Sequence, residues 1–161
     1  MSPAAATATA MTRDQNGYVR RETLVAVAIN AALSAIFCFI VFGGSAAIAT
    51  ADLVADAVPQ SFMIALMTTI VPTLITRRRL RAGTIAPLAL AESRLPSNLA
   101  LRALLVAMLA AAAGLASHWL LLAAFGPAEW PFGTVLTLKI AYGAALAAIC
   151  APLLLRRALA D

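Results

Sequence analysis

Residues Pro59 to Arg81 read PQSFMIALMTTIVPTLITRRRLR. The run from Pro59 to Thr76 carries no charge, and Arg77, Arg78, Arg79 and Arg81 come after it almost without a break. An uncharged apolar run of this length is what the hydrocarbon core of a bilayer accepts, and a block of arginine at one end marks a cytoplasmic anchor. The stretch therefore reads as a membrane-crossing helix with its arginines inside the cell. Once it is placed, the orientation of every other apolar run is set.

The whole chain has the composition this placement needs. It is 161 residues long, 63% hydrophobic and 12% charged. A soluble domain of this size carries about a quarter charged residues, because its surface faces water. Lipid is thus the expected solvent and the bilayer the expected partner. The net charge of +5 does not indicate nucleic acid. The basic residues cluster at the ends of apolar runs, without the basic faces and interleaved aromatics that nucleic-acid binding uses. One lysine among many arginines, with heavy use of Ala and Leu, suggests a GC-rich bacterial gene, so the bacterial cytoplasmic (inner) membrane is the expected location.

Outward from the first stretch, the chain divides into an all-α membrane domain with four spans, at about 23–43, 59–76, 99–125 and 132–155. Residues 1–22 are polar and Ala/Thr-rich without hydrophobic period, and read as a disordered cytoplasmic tail. Residues 44–58 hold Asp52 and Asp56 and read as an outer connection, in which a short interfacial helix of marginal length is an option. The cytoplasmic loop is 77–98, with a short surface helix expected over 87–95, and Ser97 or Asn98 is placed to cap the third span. Pro72 removes one backbone bond from the second span, a defect that Thr68, Thr69 and Thr73 are placed to soften. A rival reading treats Arg20-Arg21, the first apolar run and Ala47-Ile48-Ala49 as a cleavable secretory signal, but the run exceeds the roughly 7–15 residues of a signal core.

Charge sorting supports four spans with both termini cytoplasmic. Arg13, Arg20, Arg21, Arg77, Arg78, Arg79, Arg81, Arg94, Arg102, Arg156 and Arg157 then share one side, and the opposite loops hold only Asp52, Asp56 and Glu129. The spans form two in-out-in hairpins that rhyme. Each has Phe-Gly at the end of its first helix, an acidic outer loop, a proline opening the return (Pro59, Pro131) and a second proline before the terminal arginines (Pro72, Pro152). A duplication would relate the hairpins as parallel repeats about an axis along the membrane normal.

Candidate chemistry is sparse. Lys139 falls about two turns into the fourth span, where an unpaired lysine costs a few kcal/mol. It shares a small-residue stripe with Gly143, Ala147 and Ala151, and Ala110, Gly114 and His118 form a similar stripe on the third span. We expect these stripes to face each other and His118 and Lys139 to share one polar spot, an anion- or proton-handling site. The plainer alternative is that Lys139 snorkels to headgroups or Glu129 while His118 bonds a carbonyl. Asn30, Ser34, Thr69 and Thr73 read as interhelical polar glue worth about 1 kcal/mol each. The Arg77, Arg78, Arg79 and Arg81 cluster reads as a topology anchor or a binder of anionic lipid headgroups.

Other chemistries lack parts. No carboxylate falls inside any of the four runs, which disfavours a proton-coupled cation exporter. One histidine and two cysteines at different depths, Cys38 and Cys150, make neither a metal site nor a disulfide. No phosphate-binding glycine loop and no Ser-His-Asp set is present. The expected protein is neither an enzyme nor a cofactor binder. It is a membrane subunit or scaffold acting through helix packing, in a homo-oligomer or larger complex. The alternative is a small permease for an anionic or neutral solute using Lys139 and His118.

Overall fold

The computed structural model describes residues 11–89 and 95–161. Their order is α1 (Arg13–Phe42), β1 (Ala47–Ala49), α2 (Thr50–Arg81), α3 (Leu99–His118), a π-helical turn (Trp119–Ala123), β2 (Glu129–Pro131) and α4 (Phe132–Leu159). Among the described residues, four helices are long and apolar enough to cross a membrane. A lipid environment, and a small multi-pass membrane protein, fit that pattern. The described arginines lie at the starts of α1 and α3 and the ends of α2 and α4, and so gather at one end of the bundle. The other end is closed by the two short strands, paired antiparallel with Ile48 opposite Trp130.

Two helices begin earlier than the hydropathy suggests. At α1, the Thr12 hydroxyl accepts from the Gln15 amide at 3.2 Å and the Gln15 side chain accepts from the Thr12 amide at 2.9 Å, a reciprocal cap. Residues 13–22, expected in a disordered tail, are therefore helical, while 1–10 lie outside the described residues. Their polar side chains are held: Gln15 donates to the Ala86 and Pro87 carbonyls, both at 3.1 Å, and Tyr18 bonds Thr76 at 2.8 Å. At α2 the helix starts at Thr50 rather than Pro59, so Asp52 and Asp56 are helical, not loop, residues. Asp52 in the first turn suits the positive end of the helix dipole, and Pro59 is accommodated inside.

The two strands hold the helix starts together. Thr50 is the staple: its amide donates to the Ala128 carbonyl (2.9 Å), its hydroxyl donates to the Pro127 carbonyl (2.5 Å), and the Trp130 indole donates to that hydroxyl (2.8 Å). Gly44 turns the chain out of α1 in the left-handed region, at φ +97°. At the arginine end, Asn98 caps α3 through the Leu101 amide at 3.1 Å. The expected surface helix over 87–95 is not helical at 87–89, and 90–94, with Arg94, lie outside the described residues. Leu88 instead tucks against Val19, Leu155 and Leu159, its amide donating to the Leu159 carbonyl at 2.8 Å.

The two helices of each hairpin are not each other's main packing partners. α1 lies along α4, α4 along α2 and α2 along α3, while α1 and α2 touch only briefly. The small-residue stripes of α3 and α4 accordingly do not face each other as expected. Gly143 of α4 meets Ser34 of α1, and Gly114 of α3 meets Ser61 of α2. Each contact is a glycine against a serine, so close that a Cβ on either glycine would collide with the serine hydroxyl. In lipid, where apolar side chains gain little by leaving their surroundings, such close backbone approach is what gives helices dispersion contact.

Gly114→Ala should therefore lower stability in detergent by about 1–3 kcal/mol through overpacking. Gly133→Ala, where a Cβ meets nothing within 4 Å, should be neutral. Thermal melting of the two variants checks the contrast, and equal melting would contradict the packing described.

Candidate functional site

The polar centre of the bundle is built on α2 and α4. Lys139 ion-pairs with Asp56 and donates to Gln60 Oε1 at 3.0 Å. The Gln60 amide donates in turn to Ser34 Oγ (3.1 Å) and to the Lys139 carbonyl (3.3 Å), so one side chain links α1, α2 and α4. The ammonium also lies 5.4 Å from the centre of the Phe42 ring. Asp56 and Gln60 are four residues apart, one above the other on a helix face, which is why both reach Lys139. The Lys139 ammonium is thus matched by a carboxylate of α2, a helix long and apolar enough to cross a membrane, whereas the sequence reading keeps Asp56 in the outer connection and offers Glu129 or headgroups to Lys139.

His118 and Lys139 line one small cavity of about 20 Å³ together with Asp56 and Gln60, room for about one water. Among the described residues no hydrogen bond joins the two. His118 Nδ1 lies 2.9 Å from the Gly114 carbonyl, and since a carbonyl only accepts, that nitrogen carries a proton. Its ring stands edge-on to Tyr142 at 4.5 Å, and the Tyr142 hydroxyl bonds Ser61 at 2.6 Å. The π-helical turn begins directly after His118. Such a turn adds a residue to the helix and so rotates the segments on its two sides relative to each other.

On the other side of the Asp56–Lys139 pair, α1 and α2 stand apart and leave a cleft of about 310 Å³. Leu33, Phe37, Met63 and Met67 form its apolar walls, and Ser34, Asp56, Gln60 and Lys139 contribute polar atoms. The four residues expected as polar glue divide. Ser34 joins helices through Gln60, and Asn30 reaches Thr68 at 3.5 Å while donating to its own helix at Ala26 (2.8 Å). Thr69 bonds the Ala65 carbonyl of its own helix at 2.7 Å, and the Thr73 hydroxyl is buried without a partner among the described residues, so neither hydroxyl ties two helices. Thr69 takes the back-bonding option that serine and threonine have within helices.

The arginine cluster also sorts by contact. Arg77, Arg102 and Arg157 converge on Asp161: Arg102 Nη2 lies 2.7 Å from Oδ2 and Nη1 3.0 Å from Oδ1, with Arg77 at 2.9 Å and Arg157 at 3.1 Å. Arg79 pairs with Glu22 at 2.9 Å and lies over Tyr18 at 5.1 Å. Arg78 and Arg81 lie in the last turn of α2, where cations suit the helix dipole. Burial alone would raise the Asp161 carboxyl, but the hydrogen bonds and charge of Arg102, then of Arg77, outweigh it and hold it below the usual carboxylate value.

The sequence reading missed Asp56, Gln60, Ser61 and Tyr142. The signal is the four-residue spacing of Asp56 and Gln60, which a helix start at Pro59 hides.

Lys139→Leu, which strands Asp56 in an apolar bundle, should cost about 3–5 kcal/mol, and Lys139→Leu with Asp56→Leu should recover most of that loss. Melting of the single and double variants decides it, and an additive double variant would mean the pair is not coupled. The Asp161 contribution is complete above the ordinary aspartate value of about 3.9 and is lost as pH falls through the lower folded value. In that window the unaltered chain should lose melting temperature more steeply than Asp161→Asn.

Comparison with protein-family models, curated proteins and solved structures finds no match for this chain.

Proposed function

We propose that the chain is a non-catalytic subunit or scaffold of the bacterial inner membrane, with its arginine end in the cytoplasm, that acts through helix packing in an oligomer or larger complex. In this reading the bundle arose by duplication of a helix pair, α1–α2 giving α3–α4, related by an axis along the membrane normal.

The observation that carries the duplication is the reciprocal serine–glycine contact. Exchanging the halves sends Ser34 against Gly143 onto Gly114 against Ser61, with serine and glycine swapped between equivalent places. The buried residues of α2 and α4 support the same relation. Leu53, Ala57, Ser61, Ala65 and Thr69 precede Val135, Lys139, Gly143, Ala147 and Ala151 by one constant spacing. That spacing also separates Ala47 from Glu129, the first residues of the two strands, and the antiparallel strand pair maps onto itself under the exchange. The correspondence is looser on α1 and α3, where Gly114 lies farther from its terminal glycine, Gly126, than Ser34 does from Gly43.

The scaffold reading rests on where the polar groups point. Asp56, Lys139, Gln60 and Ser34 bond chiefly to one another, and these bonds connect three helices of the bundle.

Gly143→Ser should destabilise by bringing two serines together at one crossing, and adding Ser34→Gly should restore at least half of the lost melting temperature, because it reproduces the Gly114–Ser61 arrangement. A double variant no better than the single one would remove the equivalence. Mild-detergent extraction from the native membrane, followed by light scattering and mass spectrometry, tests the scaffold. A complex larger than the monomer is expected, and a partnerless monomer overturns the reading.

A further inference from the structure

The cleft between α1 and α2 is a feature that the scaffold reading leaves unused, and it borders the Asp56–Lys139 pair and is walled by α1 and α2. At the arginine end the two helices are joined, by Tyr18–Thr76 at 2.8 Å and Glu22–Arg79 at 2.9 Å. Nearer the strand end a space of about 310 Å³ lies between residues 30–41 of α1 and 56–67 of α2, crossed by the Gln60–Ser34 bond. Its wall residues Phe37, Met63 and Met67 are exposed, and the medium at the middle of a membrane span is hydrocarbon, so access to the space is from the lipid phase. The floor does not match that medium: it presents Asp56, Gln60, Lys139 and Ser34. Most of these groups bond one another, but a purely apolar occupant would leave Asp56 Oδ1 and the third donor of the Lys139 ammonium facing hydrocarbon, at a cost for each unmatched group.

Charge and size narrow the occupant. Asp56 and Lys139 are adjacent and opposite in sign, so an anionic head would meet the carboxylate and a cationic head the ammonium, whereas a zwitterion finds a partner for each of its charges. Among the described residues the ion pair uses Asp56 Oδ2, which leaves Oδ1 to accept. Lys139 makes two side-chain hydrogen bonds, to Asp56 and Gln60, from an ammonium with three donors. The volume is at the lower end of the roughly 300–1,000 Å³ range of ligand sites, suited to one chain rather than two. At 1.5 Å per residue Asp56 lies about 9 Å along α2 from Thr50, and Asn30 about 18 Å along α1 from Phe42. The polar floor is therefore nearer the strand end and the apolar trench runs inward from it.

We propose that this cleft is a lateral binding site for a single-chain amphiphile with a zwitterionic, net-neutral head, whose head meets Asp56 and Lys139 and whose chain lies between Phe37 and Met67. The proposal goes beyond the scaffold and does not depend on the duplication or on oligomeric state.

The full chain in mild detergent is titrated with lysophosphatidylethanolamine as the zwitterionic probe and lysophosphatidylglycerol of the same chain length as the anionic one. Binding is followed by native mass spectrometry and by melting temperature. The zwitterion should bind at least fivefold more tightly, and Met67→Trp or Met63→Trp, each filling the chain trench, should weaken it at least tenfold. Leu109→Trp, on the exposed face of α3, should leave it unchanged. Equal binding of the two probes overturns the head assignment, and unchanged affinity in a Met67→Trp or Met63→Trp protein that elutes as a single species overturns the site. The head comparison uses the unaltered chain and decides on its own if neither tryptophan variant folds.

Discussion

Helices in oil have little reason to associate unless their backbones come close, and the bundle depends on two places where they do. Ser34 against Gly143 and Ser61 against Gly114 bring α1 onto α4 and α2 onto α3. A serine is small enough for the approach and carries a hydroxyl that must bond something once water is excluded. Ser61 meets that demand by donating to the Ala57 carbonyl at 2.5 Å and bonding Tyr142, and Ser34 by accepting from Gln60. Close packing and polar satisfaction are thus met by the same residues. That combination is what membrane interiors select, because an unmatched hydroxyl there has no solvent to turn to.

The Asp56–Lys139 pair answers the same constraint at higher stakes. Either charge alone in the bundle would be costly, whereas together, with Gln60 bonded to the ammonium, they neutralise each other where α2 meets α4. A buried pair of this kind is weak grounds for added stability, since a well-packed apolar pair of equal volume often does as well. Its place in the bundle is what connects α2 to α4 through Gln60. The pair lines both the α1–α2 cleft and the small cavity beside His118.

Much of the fold was legible because hydropathy and arginine placement obey strong, one-dimensional rules. Four long apolar helices and the gathering of arginines at one end both result from what hydrocarbon excludes. What hydropathy could not register was helix that continues past the apolar run. Thr12 and Gln15 extend α1 through a cap, and the polar stretch from Asp52 to Asp56 extends α2 although it lowers the hydropathy. Lys139 was legible as an anomaly from its position alone. Its partner was not, because Asp56 belongs to a segment that reads as loop once Pro59 is taken as a helix start. Helix adjacency was likewise out of reach: small-residue stripes show that a face packs closely but not against which neighbour. The pairing of α3 with α2 and α4 with α1 rests on three-dimensional connection, not on any local pattern.

That connection also explains the cleft. After α1 the chain turns at Gly44 and enters β1, which pairs with β2 and so fixes the start of α2 beside the start of α4. Thr50 reinforces this by bonding the Ala128 and Pro127 carbonyls and the Trp130 indole. Meanwhile the end of α1 packs on α4, with Phe39 and Phe132 at 5.1 Å between ring centres. α4 therefore holds both helices at the strand end and keeps them from closing on each other, while Tyr18 and Glu22 draw them together at the arginine end. A space between α1 and α2, on the strand side of those two contacts, is the geometric consequence. The polar floor belongs to the same arrangement, because α4 is the element behind the space and Lys139 is the residue it presents there.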